Sequence, residues 1–135
     1  MFDNINLFIN ALDEYEKRIK DELDAITTAT AKVWFTNLVR RTPKDTGFAR
    51  MNWHFTINDL PPSNVIYSPK TRSTYADAQI PSFRNVNYGD VIYFFNNVEY
   101  IDKLENGWSD QAPHGMLAIS MHEAKTHFNN AIRSM

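Results

Sequence analysis

Four histidines are the side chains best suited to acid–base or metal chemistry, and their positions argue against a shared site. His122 and His127 lie five residues apart in a segment with helical periodicity, so their rings diverge by about 140° around a helix axis. Two histidines that bind one zinc ion from a single helix are four residues apart. His54 falls on the polar side of a predicted strand, where a surface histidine is the ordinary case. His114 lies in a Pro-Gly loop, and the G-x-S-x-G motif of a serine nucleophile is absent from the sequence.

Other signs of catalysis or cofactor binding in the sequence are weak. Asp102 and Glu105 are three residues apart, a spacing that is common on helix surfaces. The glycine-rich motifs that bind dinucleotides or nucleotide phosphates are absent from the sequence. There is no cysteine, which excludes disulfides, thiolate metal sites and cysteine nucleophiles. We therefore expect a protein that is not an enzyme and that has no metal site, no cofactor and no small-molecule ligand.

Two groups of cations suit contact with nucleic acid. The first is purely basic and the second mixes cations with tyrosines: Arg40, Arg41, Lys44 and Arg50, then Tyr67, Lys70, Arg72 and Tyr75. Cations bind phosphates, and aromatic rings stack on the bases of single strands. The formal net charge of −2 and the lack of a recognised nucleic-acid-binding signature count against this function. A single-stranded nucleic-acid-binding module that uses residues 60–89 stays open as an alternative.

Length and composition predict one domain over residues 1–135. Hydrophobic residues make up 43% of the 135 residues, enough for a core without disulfides or metal. No apolar run approaches the roughly 18 residues of a membrane span. Residues Met1 to Asn10 lack the basic and apolar regions of a signal peptide. We expect a soluble protein that is made in the cytoplasm and does not contact a membrane.

The first predicted element is a long amphipathic helix from about Asp3 to about Arg41. Its apolar residues recur at spacings of three and four: Ile5, Phe8, Ile9, Leu12, Tyr15, Ile19, Leu23, Ile26, Val33, Trp34 and Leu38. Such a helix reaches roughly 58 Å, whereas a compact domain of this size has a radius of gyration of about 14 Å. The helix must therefore bend, break or project, and the β-branched run Thr27 to Thr30 is its weakest place. A projecting helix needs a partner for its apolar face, which points to oligomerisation.

A strand and a long loop are predicted next. Pro43 ends the helix, and Asp45-Thr46-Gly47 supplies turn chemistry. Alternation from about Phe48 to Asn58 predicts a strand whose polar residues face solvent. Leu60 to Gly89 contains four prolines and predicts a long loop, with a short strand possible at Val65-Ile66-Tyr67.

The last part of the chain predicts a second strand and a second long helix. The strand covers Val91 to Phe95, and a short helical turn covers Tyr100 to Glu105. Apolar periodicity then predicts a helix from Leu117 to Met135. The fold class that follows is α+β, with the N-terminal and C-terminal helices packed on one face of a small, mostly antiparallel β-sheet.

Charge is distributed unevenly along the chain. Through Asp24 there are seven acids and three bases, whereas from Lys32 to Arg50 there are five bases and one acid. This polarity suits head-to-tail contact between identical subunits, and a solvated helix face followed by a basic turn is the alternative explanation.

Two motifs resemble the signatures of a known family. Residues 42–50, T-P-K-D-T-G-F-A-R, resemble the pattern T-P-x-D-T-G-x-[LA]-R, which follows the first long helix in that family. Residues 100–107, Y-I-D-K-L-E-N-G, resemble its pattern Y-[AI]-x-x-[LV]-E-x-G, and residues 111–117 resemble the loop before its last helix. The chain is in this respect similar to the head–tail joining (neck or tail-completion) proteins of long-tailed bacteriophages.

The resemblance implies a structural virion protein in the neck or tail region, forming a ring that we expect to be sixfold. It implies contacts with neighbouring head-completion or connector proteins and with tail terminator or tail tube proteins, and transient passage of genomic DNA. A tail terminator ring is the alternative within the same class. The implied interface candidates are the motif residues Thr42, Pro43, Asp45, Thr46, Gly47, Arg50, Glu105, Gly107, Pro113 and Gly115.

Two further expectations attach to the ring. Arg50, placed on the polar face of the predicted strand, is a candidate to pair with Glu105 within or between subunits. Lys70, Arg72 and Arg84 are candidates to line a channel that DNA crosses.

Overall fold

The computed structural model describes residues 2–44, 48–66 and 83–135. Its elements are α1 (Phe2–Arg41), α2 (Phe48–Met51), β1 (His54–Ile57), β2 (Ile92–Phe95), α3 (Ile101–Glu105) and α4 (Leu117–Arg133). The two long helices pack against each other, and α1 also packs against a two-stranded antiparallel sheet. The predicted α+β fold is therefore confirmed. None of the helices in the described ranges is long and apolar enough to cross a membrane.

The C-terminal half of α1 contributes central residues of the hydrophobic core. Phe35, Leu38 and Val39 are almost completely buried, and they share one face of the helix because they lie three and four residues apart. The ring of Phe35 contacts those of Phe55 and Phe94, at centroid distances of 5.4 and 5.5 Å. Edge-on and tilted contacts of this kind add to the stabilisation that burial provides.

The threonine run in α1 anchors the helix to the rest of the chain. The helix continues unbroken through Thr27 to Thr30. The Thr28 hydroxyl donates to the carbonyl of Val86 (3.1 Å) and accepts from the backbone N–H of the same residue (2.7 Å). The Thr30 hydroxyl lies 3.1 Å from Nδ1 of His127 in α4. The turn of helix that sequence propensity marks as weak is thus held by tertiary hydrogen bonds, so α1 does not break there.

The N-terminal half of α1 projects from this body. Every residue from Asp3 to Arg18 is exposed. Six large hydrophobic side chains are among them: Ile5, Leu7, Phe8, Ile9, Leu12 and Tyr15. We call residues 3–19 the arm. Of the three outcomes that helix length allowed, projection is the one that the structure adopts.

Helix α4 runs back along α1 in the opposite direction. Arg41 binds Glu123 near the start of α4, and Thr30 contacts His127 further along it. The indole N–H of Trp34 donates to the Ser120 hydroxyl at 3.2 Å. Because α4 ends at Arg133, it covers the C-terminal half of α1 and leaves the arm uncovered.

The region after α1 departs from the predicted strand. Residues Phe48–Met51 form α2, and the strand is confined to His54–Ile57. The reason is that the Arg50 and Asn52 side chains bond backwards to backbone carbonyls, which coils this stretch rather than extending it. The prediction that Asn52 and His54 face solvent is wrong, because both are buried, at 0% and 4% exposure.

The long segment between the strands also differs in detail from the prediction. Val65 and Ile66 form no strand, and Tyr67 lies outside the described residues. Phe83 and Val86, near the end of the predicted loop, belong to the core. The Phe83 ring stacks on Phe55 at a centroid distance of 4.0 Å. β1 pairs with β2 in the register His54 to Phe95 and Ile57 to Ile92.

Candidate subunit interface

The residues of both sequence motifs meet at the C-terminal end of α1. The backbone N–H of Lys44 donates to the Gln111 side chain at 2.9 Å, which joins the first motif to the loop before α4. Two pockets open on this surface: residues of both motifs and of that loop line the first, and residues of the first motif and of that loop line the second. The fold therefore brings together three segments that are far apart in the sequence.

Residues of the first motif form hydrogen bonds with the backbone carbonyls at the C-terminal end of α1. Arg50 donates from Nη2 to the carbonyl oxygens of Arg40 and Thr42, both at 2.9 Å. The buried Thr42 hydroxyl donates to the Leu38 carbonyl and accepts from the Trp53 indole N–H, both at 2.7 Å. The last carbonyls of a helix lack partners within it and carry partial negative charge. A guanidinium at this place satisfies the carbonyls and complements that charge.

Glu105 of the second motif caps the N-terminal end of α4. Glu105 Oε1 accepts from the backbone N–H groups of Met116 (2.9 Å) and Leu117 (2.7 Å), and Oε2 accepts from Ala118 (3.2 Å). A helix start presents N–H groups without intrahelical partners, and a carboxylate is the side chain that they bind best. Glu105 thus acts as the N-terminal cap of α4 although it belongs to α3.

Two glycines allow the segments to approach each other. Gly107 and Gly115 have positive φ angles of 88° and 77°. A Cβ atom on Gly107 would overlap the carbonyl oxygen of Pro113, and one on Gly115 would overlap that of Glu105. Only glycine fits a backbone contact of this closeness.

The structure thus gives the motif residues intrachain roles that the sequence did not predict. An Arg50–Glu105 pair within one chain is wrong, because Arg50 binds the end of α1 and Glu105 binds the start of α4. Arg50 lies on α2 rather than on a strand. A contact between these residues of neighbouring chains stays a prediction.

The structure describes some of the other interface and channel candidates, and the rest lie outside the described residues. Pro43 is buried and Pro113 is exposed, and each lines one of the two pockets. Asp45, Thr46 and Gly47 lie outside the described residues, as do the channel candidates Lys70 and Arg72. Arg84 is exposed beside the buried Phe83.

The larger pocket is an aromatic groove of about 620 Å³. Its described lining includes Phe48 from α2, Tyr100 and Leu104 from the second motif, and Trp108 from the loop. Trp108 is 72% exposed, and the Lys103 ammonium lies 4.7 Å from its ring centroid. Exposed tryptophan and tyrosine side chains of this kind are typical of protein-binding sites.

The smaller pocket, of about 410 Å³, is basic. Its lining includes Arg40, Arg41, Arg50 and His114. Arg41 is paired with Glu123 through two hydrogen bonds of 2.6 and 3.0 Å. The paired carboxylate raises the pKa of Arg41, and the guanidinium lowers the pKa of Glu123. This pair holds α4 against the end of α1.

Sequence reasoning missed the aromatic groove because its members come from three separate segments. Trp108 stood next to the second motif without being part of it. A tryptophan immediately after a helix-ending glycine, among polar residues, was the available signal of an exposed ring.

The described residues contain no cluster of histidine and carboxylate side chains that could hold a metal ion. No protein-family model, curated protein or solved structure matches this chain significantly.

Proposed function

We propose that this protein is a structural subunit of a tailed bacteriophage virion that forms a ring at the head–tail junction and joins the tail to the DNA-filled capsid. The observation that carries the proposal is the arm, whose large apolar side chains are exposed from Ile5 to Tyr15, over about three turns of helix. Apolar area in water is unfavourable, so the largest apolar patch on a protein surface is often a functional contact site. A subunit that works in an assembly covers it with a neighbour.

The motifs support the same function in a second way. Their residues cap the two long helices and fix the loop between them, so they give this end of the molecule a defined shape. The aromatic groove and the basic pocket lie on that rigid end. A rigid, aromatic surface at one end and an apolar arm at the other suit repeated contact between identical subunits.

The experiment that tests the function is electron microscopy of phage particles produced while expression of this gene is silenced. We expect filled heads and separate tails of normal length that fail to join. Overlong tails would instead identify a tail terminator, since that ring stops tail growth. Virions that are intact and infectious would overturn both assignments, and a salt-dependent gel shift with single-stranded DNA would then test the nucleic-acid-binding alternative.

A further inference from the structure

The apolar side chains of the arm form the anchor pattern of a helix that binds in a groove. Ile5, Phe8, Ile9 and Leu12 are at positions i, i+3, i+4 and i+7, and Tyr15 extends the same face by one turn. At 100° per residue these five side chains span an arc of about 120°. That is wider than the narrow seam of a two-stranded coiled coil, and it is the breadth that a helix uses against a broad surface.

The size of this surface is that of a real interface. The five side chains are between 48% and 64% exposed, which amounts to on the order of 500 Å² of mainly apolar area. The largest apolar patch on an ordinary monomer is about 300–600 Å², and a stable interface covers about 800 Å² on each partner. The arm therefore supplies most of one side of a standard interface.

The aromatic groove is the surface of this chain that matches the arm. It offers a volume of about 620 Å³ between Phe48, Tyr100 and Trp108, and a phenylalanine or leucine anchor fits between rings of that kind. Charge agrees with this choice. The arm and the next turn of α1 carry seven acids and three bases through Asp24, whereas the lining of the groove and the adjoining pocket contains one acid, Asp110, and the bases Arg40, Arg41, Arg50 and Lys103.

The arm and the groove of one chain cannot meet. Phe8 and Arg41 lie about 50 Å apart along the axis of α1, at 1.5 Å per residue, and the groove begins just after Arg41 at Pro43. Continuous helix separates the two surfaces, so a second copy must supply the other half. Such a contact joins two different surfaces head-to-tail, and it closes into a ring when the rotation between neighbouring subunits divides a full turn.

We propose that the arm of one subunit binds in the aromatic groove of the next, with Phe8 and Leu12 as its anchors and Trp108 as the main contact on the acceptor. This inference rests on the ring in the proposed function and names the contact that builds it. The occupant is a second copy of this chain.

Cross-linking tests the contact directly, because the chain contains no cysteine of its own. Two full-length variants, Ala11→Cys beside the anchors of the arm and Asp110→Cys in the lining of the groove, keep Phe8, Leu12 and Trp108 in place. They are purified separately, one of them with a mass tag, mixed, and treated with a short bismaleimide. We expect cross-linked pairs of one variant with the other. Predominant Ala11→Cys pairs would show arm-to-arm contact and overturn the proposal. Absence of cross-links at protein concentrations up to roughly 1 mM, the weakest range of specific binding, would overturn it as well.

A matched pair of arm variants provides the second measurement. Leu12→Asp removes an anchor, whereas Leu7→Asp places the same charge at a leucine that is 66% exposed and outside the arc. Both positions are exposed, so far-UV circular dichroism should be unchanged for each. We expect Leu12→Asp to raise the dissociation constant of the oligomer at least tenfold in sedimentation velocity, with Leu7→Asp near wild type. Equal effects of the two variants would contradict the assigned face.

The arm-to-groove contact and the virion function can be contradicted independently of each other. If the cross-link forms but silencing the gene leaves virions intact, the contact is right and the virion function is wrong. If silencing leaves heads and tails unjoined but no arm-to-groove cross-link forms, the function stands and a different contact builds the ring.

Discussion

At the scale of single residues, one charged residue of each motif binds an end of one of the two long helices. Arg50 binds the last carbonyls of α1 and Glu105 binds the first N–H groups of α4. Neither role could be predicted from spacing, because each pairs a side chain with backbone of another element. The sequence did indicate that Gly107 and Gly115 lie at turns. The sequence did not show that each glycine also leaves space for a carbonyl oxygen, of Pro113 or of Glu105, because these contacts form only in the folded chain.

Of the three glycines in the described ranges, Gly115 should be the least tolerant of a side chain. Gly115→Ala combines an unfavourable positive φ with overlap on the Glu105 carbonyl, and we expect it to lower the free energy of unfolding by about 3 kcal/mol or more. Gly89→Ala is the matched control, since Gly89 also has a positive φ but nothing within 4 Å of the added Cβ. It should cost about 1 kcal/mol. Equal losses for the two variants in urea titrations would contradict the close contact.

His54 should make stability fall in mild acid. Burial lowers the pKa of its imidazole below the usual value, so the unfolded chain binds the proton more readily than the folded one. Stability is therefore unaffected above about pH 6.5 and decreases as the pH falls below it, with a slope of at most about 1.4 kcal/mol per pH unit. His54→Phe, which keeps a ring against Phe95, should flatten the profile between pH 7.5 and 5. An unchanged slope would show that the proton binds elsewhere.

At the scale of elements, α1 shows what periodicity can and cannot establish. Its apolar face follows from spacings of three and four and its end from Pro43, whereas its length left bending, breaking and projection open and only the structure shows projection. Which half is covered depends on where α4 ends, at Arg133, and on Thr28 and Thr30 as anchors. The prediction of a strand from Phe48 is wrong, because the alternation of apolar and polar residues carries no information about side chains that form hydrogen bonds with backbone carbonyls. Phe83 was missed as a core residue for a related reason, since one aromatic in an irregular segment carries no periodic signal.

The two halves of α1 should respond differently to loss of the same side chain. Phe35 is fully buried whereas Phe8 is 64% exposed, so Phe35→Ala should lower the free energy of unfolding by about 3–5 kcal/mol. Phe8→Ala should change it by less than about 0.5 kcal/mol in dilute protein. Thermal unfolding at two protein concentrations checks this. A loss with Phe8→Ala that is independent of concentration would mean that Phe8 packs within its own chain.

At the scale of the whole molecule, the candidate site was predicted in part. The charge polarity and the need of a projecting helix for a partner were apparent from the sequence, and the motif residues do meet on one surface. The groove was not predicted, because Phe48, Tyr100 and Trp108 become neighbours only when both helices are in place. Assembly through the proposed contact therefore needs two surfaces at opposite ends of α1: periodicity indicates the arm, and only the fold reveals the groove.

Restoration of infectivity tests the joining function and the role of the arm together. Filled heads and free tails from phage grown without this protein are mixed with purified wild type, Leu7→Asp or Leu12→Asp, and infectious particles are counted. Wild type and Leu7→Asp should restore the titre, and Leu12→Asp should not, because it lacks an anchor of the arm. Failure of the wild-type protein to restore infectivity would contradict the joining function, and full activity of Leu12→Asp would contradict assembly through the arm.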